Sequence, residues 1–303
     1  MTKKTGNWLI AFGILALPFL IFLGFLISDV LAPPPLPPLP NPNGYDDFMK
    51  AAKMVPSDVW DCDKMNEQQL RELVSADAAA LSLVRAGLTN RCQVPLQFTQ
   101  AYTTNHFKDL AALKRLAQAF VAEGRLDEMA NRPEAAAKDY LEDFHLGNES
   151  DRGGVVIDEL VGIAINDVGM ESLQKLADQL NAGASREDAA ALEALDAQQQ
   201  TWDEVLAREQ DWSERTFPGI KNDLSRIMMR KGLEKVYQAC ERKFKAQQLK
   251  TRQLVLDLAA RAYELDKGKP PASVSDLVPD YLKAIPQDPF TGGNLSLHQT
   301  ARR

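Results

Sequence analysis

The sequence has few of the residues that build metal centres and nucleophilic sites. Its 303 residues include only three cysteines and three histidines, and none of these stands in a CxxC, an HExxH or a mixed cysteine and histidine cluster. The chain also lacks the glycine-rich loops that hold nucleotide phosphates and the GxSxG and SxxK motifs of serine nucleophiles. These absences argue against zinc, nucleotide and serine-hydrolase sites, and we predict no catalytic, cofactor-binding or metal residue from motifs.

The cysteines and histidines are also far apart. His106, His145 and His298 are interpreted as surface or capping residues. Of the three cysteines, Cys62 and Cys92 make the most local disulfide, which would leave one thiol over. Their spacing alone does not decide whether they are bonded.

Charge is absent from one long stretch near the N-terminus. Trp8 to Ile27 is a run of twenty residues without a charge, and as a helix it spans about 30 Å, the thickness of a bilayer's hydrocarbon core. A cleaved signal peptide and a buried core helix are the alternatives. The run is longer than the apolar part of a signal peptide, and cleavage after Ala32 would leave Pro33 behind the scissile bond. We therefore interpret 8–28 as one transmembrane helix that contacts the lipid bilayer.

The charges around this helix predict its orientation. Lys3 and Lys4 lie in the tail 1–7 and Asp29 follows the helix, so the positive-inside rule places the N-terminus in the cytoplasm and the bulk of the chain outside the cytoplasmic (inner) membrane. Two of the 35 basic residues and none of the 42 acidic ones precede Asp29, so the exported part carries 33 minus 42, or −9. Such a charge disfavours nucleic acid as a partner.

A proline-rich linker follows the apolar run. Residues 33–42 read PPPLPPLPNP, with seven prolines in ten residues. Such a run favours polyproline II, an extended helix without internal hydrogen bonds, and predicts a semi-rigid stalk of about 30 Å. A PxxP ligand for a cytoplasmic SH3-like domain is the alternative, although the predicted topology puts the segment on the other side of the membrane.

Residues 43–268 have the pattern of an all-α domain. Apolar residues recur at helical spacing, strand-like alternation is missing, and Asn66 is placed to cap a helix start. Ser185 with Asp188 predicts a capping box for a long helix through Trp212. Phe217 to Gly219 interrupts, and further helix is expected from about 220 to 266.

One stretch resembles a tetratricopeptide-type helical hairpin. Residues 107–147 hold two helical patterns, and EAAAKDYLEDFHLGN is similar to the second helix of such a hairpin. The turn between the two patterns is long, and no second copy follows at a 34-residue period. Because stacked arrays need about three copies to bury their faces, a peptide groove of the repeat type is not inferred.

Two acidic residues, Asp158 and Glu159, interrupt the apolar pattern GVVIDELVGIAIND. Adjacent positions on a helix diverge by about 100°, so we expect only one of the two carboxylates to face the core. One of them could be half-buried beside Arg152 and act as an acid or a base. The alternative is an ion pair at a helix start, where the helix dipole favours negative charge.

The C-terminal part, residues 269–303, reads as a string of turns. Gly268 is placed to end the preceding helix, Ser273 with Asp276 predicts a capped short helix, and NLSLH alternates like a short strand. The segment AYELDKGKPPASVSDLVPDYLKAIPQDPFTGG is similar to the region after the long helix in major pseudopilins of type II secretion systems and related pilin-like proteins. The glycine cut site and the following glutamate of that family are missing from this N-terminus.

The order of segments as a whole is similar to a group of uncharacterised bacterial membrane-anchored proteins, which implies an architecture and no activity. We expect an interaction or scaffolding module of the cell envelope with a protein partner there. A component of a secretion or pilus-like assembly is the first alternative. An envelope hydrolase that uses Asp158 and Glu159 across a cleft is the second.

Overall fold

The computed structural model describes residues 36–56 and 62–297. The predicted transmembrane helix 8–28, the tail 1–7, residues 33–35 that open the proline-rich linker, and His298 lie outside the described residues. Residues 36–40 of that linker have no regular secondary structure. No helix among the described residues combines the length and apolarity needed to cross a bilayer. Backbone contacts divide the chain into two units, residues 1–38 and 39–303.

The second unit is all-α, as predicted. Its described residues form eight α-helices: α1 (Gly44–Ala52), α2 (Glu67–Leu88), α3 (Gln100–Met129), α4 (Pro133–Ser150), α5 (Val156–Leu176), α6 (Ala182–Ala197), α7 (Trp202–Thr216) and α8 (Ile220–Lys267). Three short 3-10 helices, Cys62–Lys64, Ala177–Gln179 and Val274–Leu277, lie between or after them.

Three apolar clusters hold these helices together. The first joins α1, α2 and α3 to parts of α4 and α5, with Phe48, Leu81 and Leu113 fully enclosed. The second joins α4, α5, α6, the last turns of α8 and the C-terminal segment. The third is smaller and packs α5 and α7 against the middle of α8. Helix α5 contributes to all three clusters and is therefore the central element of the fold.

Local capping signals predicted several helix ends correctly. The side chain of Asn66 accepts from the backbone N–H of Gln69, whose own side chain accepts from the N–H of Asn66, and this reciprocal pair starts α2. Gly268 ends α8 in the left-handed conformation, with φ of 71°. The carboxylate of Asp276 accepts from the N–H of Ser273 at 3.0 Å and starts the short helix there.

The predicted helix from Ser185 through Trp212 is wrong, because the chain forms two helices there. Asn181 caps α6 four residues before Ser185, by accepting from the N–H of Ala184 at 2.9 Å. Ser185 lies inside the helix and is fully buried. The chain leaves the helix after Ala197, and Thr201 with Glu204 forms the capping box that starts α7.

The helical pair in the stretch 107–147 exists with different bounds. Helix α3 begins before the stretch, and the turn to α4 is short, spanning residues 130–132. Asn131 takes a left-handed conformation with φ of 57°, which reverses the chain within these few residues. The expectation of a long turn is therefore wrong, because the helical pattern continues through Met129.

The C-terminal segment packs onto the domain, but the predicted short strand does not form among the described residues. Val274, Leu277 and Leu282 are buried in the second cluster, and the ring of Tyr281 lies 5.4 Å from that of Tyr263. Only one isolated bridge, between Gln287 and Asn294, is present where the sequence alternates. One bridged pair of residues does not make a β-strand, which usually has three residues or more.

Candidate functional site

Both candidate carboxylates, Asp158 and Glu159, lie in the first turn of α5 and both are buried, with 1% and 3% of their surface exposed. The expectation that only one of them faces the core is wrong. The start of α5 is enclosed on two sides, by α3 next to Asp158 and by the segment before α7 next to Glu159. Side chains that diverge by about 100° therefore both reach the protein interior.

Asp158 pairs with a histidine that the sequence did not connect with it. Its Oδ1 lies 2.5 Å from Nε2 of His106 on α3, and its Oδ2 accepts from the backbone N–H of Val155 at 2.8 Å. The ring of Tyr102 stacks on the imidazole with centroids 4.6 Å apart. His106 is 5% exposed, so its interpretation as a surface or capping residue is wrong.

Two tyrosine hydroxyls belong to the same neighbourhood. Tyr45 of α1 and Tyr102 of α3 are buried, and among the described residues neither hydroxyl has a hydrogen-bond partner. Burial raises the pKa of both phenols, and the negative charge of Asp158 raises the pKa of each further. Both hydroxyls therefore stay protonated and present donors to the interior.

Glu159 belongs to a separate polar network on the other side of α5. Its Oε2 accepts from the side-chain amide of Gln200 at 3.0 Å, and the same amide donates to the carbonyl of Asp151 at 3.1 Å. Arg208 of α7 donates to the carbonyl of Gly154 at 2.9 Å and to the side-chain oxygen of Gln200. This network joins the start of α5 to the α6–α7 connection and to α7.

Burial changes the protonation of this second network. It raises the pKa of Glu159 to about 7, although the hydrogen bond from Gln200 and the charge of Arg208 act in the opposite direction. Burial, and next the charge of Glu159, raise the pKa of Asp151 well above its usual range. The predicted partner Arg152 is not part of the network, because its guanidinium lies against Glu149 at 3.0 Å.

The networks of Asp158 and Glu159 are enclosed by close helix packing. Helices α4 and α5 approach where glycines face polar side chains: a Cβ on Gly147 would lie 1.9 Å from Oδ1 of Asn166, and one on Gly162 would lie 2.1 Å from Oδ2 of Asp151. A carboxylate pair that hydrolyses a glycoside must line an open cleft. The enclosed carboxylates are instead placed to fix α3, α5 and α7 relative to one another.

The cysteines and the metal-ligating residues contribute no site in the described residues. Cys62 and Cys92 are not joined by a disulfide there. The sulfur of Cys62 lies 4.0 Å from the carbonyl of Gln118, while Cys92 is buried with its sulfur 3.6 Å from the carbonyl of Asn90. Across residues 36–56 and 62–297, no group of three or more His, Cys, Asp or Glu side chains is arranged to hold a metal ion.

The accessible candidate site is a groove beside the last half of α8, which we call the α8 groove. It consists of two hollows of about 310 Å³ and about 1300 Å³ that share Gln174, Leu254 and Asp257. Helix α5 forms one wall, α8 forms the base, and residues 270–275 with 294–297 form the opposite wall. The C-terminal segment that resembles a pseudopilin module is thus one side of the groove.

The α8 groove combines apolar surface with negative charge. Its apolar lining includes Met170, Leu254, Val274, Ile285 and Leu295. Its carboxylates are Asp167, Glu171, Asp178, Asp257 and Glu264, and its cations are Lys250 and Arg261. Five negative charges against two positive ones leave −3. The ammonium of Lys250 donates to Asp167 at 2.8 Å, Lys175 pairs with Glu171 at 2.9 Å, and Arg261 donates to the carbonyl of Leu180 at 3.3 Å. Both cations of the groove and two of its carboxylates therefore already have partners within the chain.

Sequence reasoning missed both His106 and the α8 groove. A histidine 52 positions from Asp158 carries no local signal of the contact. The lining of the groove comes from α5, α8 and the C-terminal segment, which only tertiary packing brings together. Comparison of the chain with protein-family models, with curated proteins and with solved structures gives no match. The function proposed below therefore rests on the geometry of this chain.

Proposed function

We propose that this chain is a helical interaction module, tethered to a membrane by residues 8–28 and displayed outside the cytoplasm, that binds a polypeptide in the α8 groove. The observation that carries this proposal is the groove itself. Its larger hollow of about 1300 Å³ exceeds the usual volume of a small-molecule pocket, which is about 300–1,000 Å³. An elongated, open groove suits a helix or an extended segment of protein.

The charge of the groove defines the chemistry of the partner. A net charge of −3 around an apolar lining favours a segment that carries lysine or arginine beside apolar side chains. The two networks around Asp158 and Glu159 support the same interpretation indirectly. Their side chains are enclosed, so they are suited to hold the scaffold rigid and unsuited to meet a substrate.

Site-specific photo-crosslinking tests this function. p-Benzoylphenylalanine is placed at Gln253 or Ser275, which line the groove, and at Glu72, an exposed residue of α2, as the matched control. After irradiation of intact cells that make the full chain, mass spectrometry identifies the adducts. We expect protein adducts from both groove positions and none from Glu72. Groove positions that give no adduct at all would refute the proposal.

A further inference from the structure

The first part of α8 is the surface that matches the α8 groove. Residues 228–243 precede the second half of the helix; Cys240 on one face is buried in the third cluster, while Met228 and Val236 are 85% and 55% exposed. The basic residues of this stretch are Arg230, Lys231, Lys235, Arg242 and Lys243, and its acidic residues are Glu234 and Glu241. We call residues 228–243 the α8 arm. It has apolar side chains exposed to solvent, and five basic residues minus two acidic ones give it a net charge of +3.

The arm and the groove lie on the same side of one helix. At about 100° per residue, Met228, Lys235, Lys243, Asp257 and Glu264 fall within an arc of about 80°. The face is therefore continuous along α8, with Lys235 and Lys243 in its first half and with Asp257 and Glu264, beside Lys250, in its second. Small side chains lie between them, with Ala239 and Ala246 inside the same arc. They leave room for a second helix to approach.

The two surfaces also match in length. The arm of 16 residues is about 24 Å long, and the groove follows α8 from Lys250 to Glu264, 15 residues or about 22 Å. When two such helices lie antiparallel about a two-fold axis at Ala246, Lys235 of each copy lies opposite Asp257 of the other. The arm of each copy then lies in the groove of the other, and the two contacts are identical, as two-fold symmetry requires.

We infer that the polypeptide bound in the α8 groove is the α8 arm of a second copy of this chain, in a reciprocal, antiparallel dimer. This inference rests on the proposed function, since it takes the groove as the protein-binding surface. The opposed charges fix the antiparallel register, because a parallel pairing would place like charges against each other. The apolar side chains of the arm are removed from water in the same step.

A charge exchange tests the dimer. The mass of the full chain in detergent micelles is measured by sedimentation, for the wild type and for Lys235→Glu, Asp257→Lys and the double variant. We expect a wild-type dimer, dissociation constants raised about tenfold or more by each single reversal, and restoration by the double exchange. Glu72→Lys, a reversal on exposed α2, should leave the dimer intact.

A cysteine at the two-fold axis tests the register. Ala246→Cys should crosslink two copies under mild oxidation, and Glu72→Cys should give no more crosslinked dimer than the wild type with its native cysteines. A monomeric wild type, a dimer indifferent to both reversals, an exchange that fails to restore, or an uncrosslinked Ala246→Cys would each overturn the inference. Photo-adducts between the groove and other proteins only would overturn it while leaving the proposed function standing.

Discussion

Burial gives individual carboxylates of this chain a proton at pH values where exposed ones are charged. Asp188 on α6 is 8% exposed, and its Oδ2 is buried without a hydrogen-bond partner among the described residues. Burial, followed by the charges of Glu187 and Glu134, raises the pKa of Asp188 to about 7. In the unfolded chain an aspartate has a pKa of about 3.9. The folded state therefore binds more protons than the unfolded state between these two values.

The stability of the chain should reflect this difference. Because the folded state holds the extra proton, the contribution of Asp188 to the free energy of unfolding is present below about pH 4 and is lost as the pH rises to about 7. Asp188→Asn keeps the size of the side chain and removes its titration. We expect the variant to lose less stability over this range, by on the order of 3 kcal/mol. Urea unfolding at several pH values measures it, and Asp203→Asn on exposed α7 is the control. Parallel pH profiles for the wild type and Asp188→Asn would contradict the assignment.

At this scale the sequence identified the unusual residues without their surroundings. Asp158 and Glu159 were visible because they interrupt an apolar helical pattern. The sequence did not show that both would be buried on two sides of α5, because their burial depends on which helices lie beside that turn. Gln200, which donates to Glu159, and Arg208, which donates to Gln200, are distant in sequence and join this network only after the chain folds. A pattern within one helix cannot contain that information.

Among the helices, the contact between α4 and α5 depends most on small residues. Gly162→Ala would place a methyl group 2.1 Å from Oδ2 of Asp151 and 2.9 Å from the carbonyl oxygen of Gly147. Since one of these neighbours is backbone, the helices must move apart. We expect a loss of about 1–3 kcal/mol in the free energy of unfolding.

Gly232→Ala is the matched control for that substitution, because nothing lies within 4 Å of a Cβ at this helical position. It should raise stability by about 0.5–1 kcal/mol, since alanine loses less conformational freedom than glycine in a helix. Chemical denaturation of both variants compares the two effects. Equal changes of the same sign in the free energies of unfolding of the two variants would show that α4 and α5 can accommodate the methyl group.

The helix boundaries show where local signals suffice. Asn66 starts α2 through its side chain and Gly268 ends α8 through its backbone conformation, so the sequence predicted both boundaries. Ser185 has the same chemistry as a cap but lies in the helix interior, because Asn181 takes the capping position first. Two candidate caps four residues apart are equivalent in sequence, and the packing of α6 against its neighbours selects between them.

On the scale of the whole molecule, the proposed membrane anchor at residues 8–28 leads to a fractionation experiment. We expect the full chain to sediment with membranes and to resist carbonate extraction, because burying about twenty apolar residues in lipid is strongly favourable. Deletion of residues 8–28 should release the domain into the soluble fraction. A chain that lacks only Pro33–Pro42 is the control and should stay with the membrane. Quantitative immunoblotting of the fractions measures the change, and a wild type found in the soluble fraction would contradict the anchor.

The general architecture was largely predictable and the groove was not. Helical periodicity indicates an all-α domain whatever the packing partner of each helix. The α8 groove depends on how the segment after Gly268 returns to α8, which Val274, Leu277 and Leu282 determine through their burial in the second cluster. The proline and glycine residues after Gly268 predicted that the chain changes direction there, but they did not predict the angle at which it returns to α8.

Helix α8 runs from Ile220 to Lys267 as one α-helix, and its two halves are in different surroundings. Leu254, Leu258 and Ala262 are held in the core, while Met228 stands in solvent. The packed half of the helix is fixed by the core, so the exposed half can tilt about it as a rigid rod. The portion from residue 220 to residue 239 is about 30 Å long, so a tilt of about 10° at the pivot would move its free end by about 5 Å. Such a tilt would therefore also move the base of the groove, which the second half of the same helix forms.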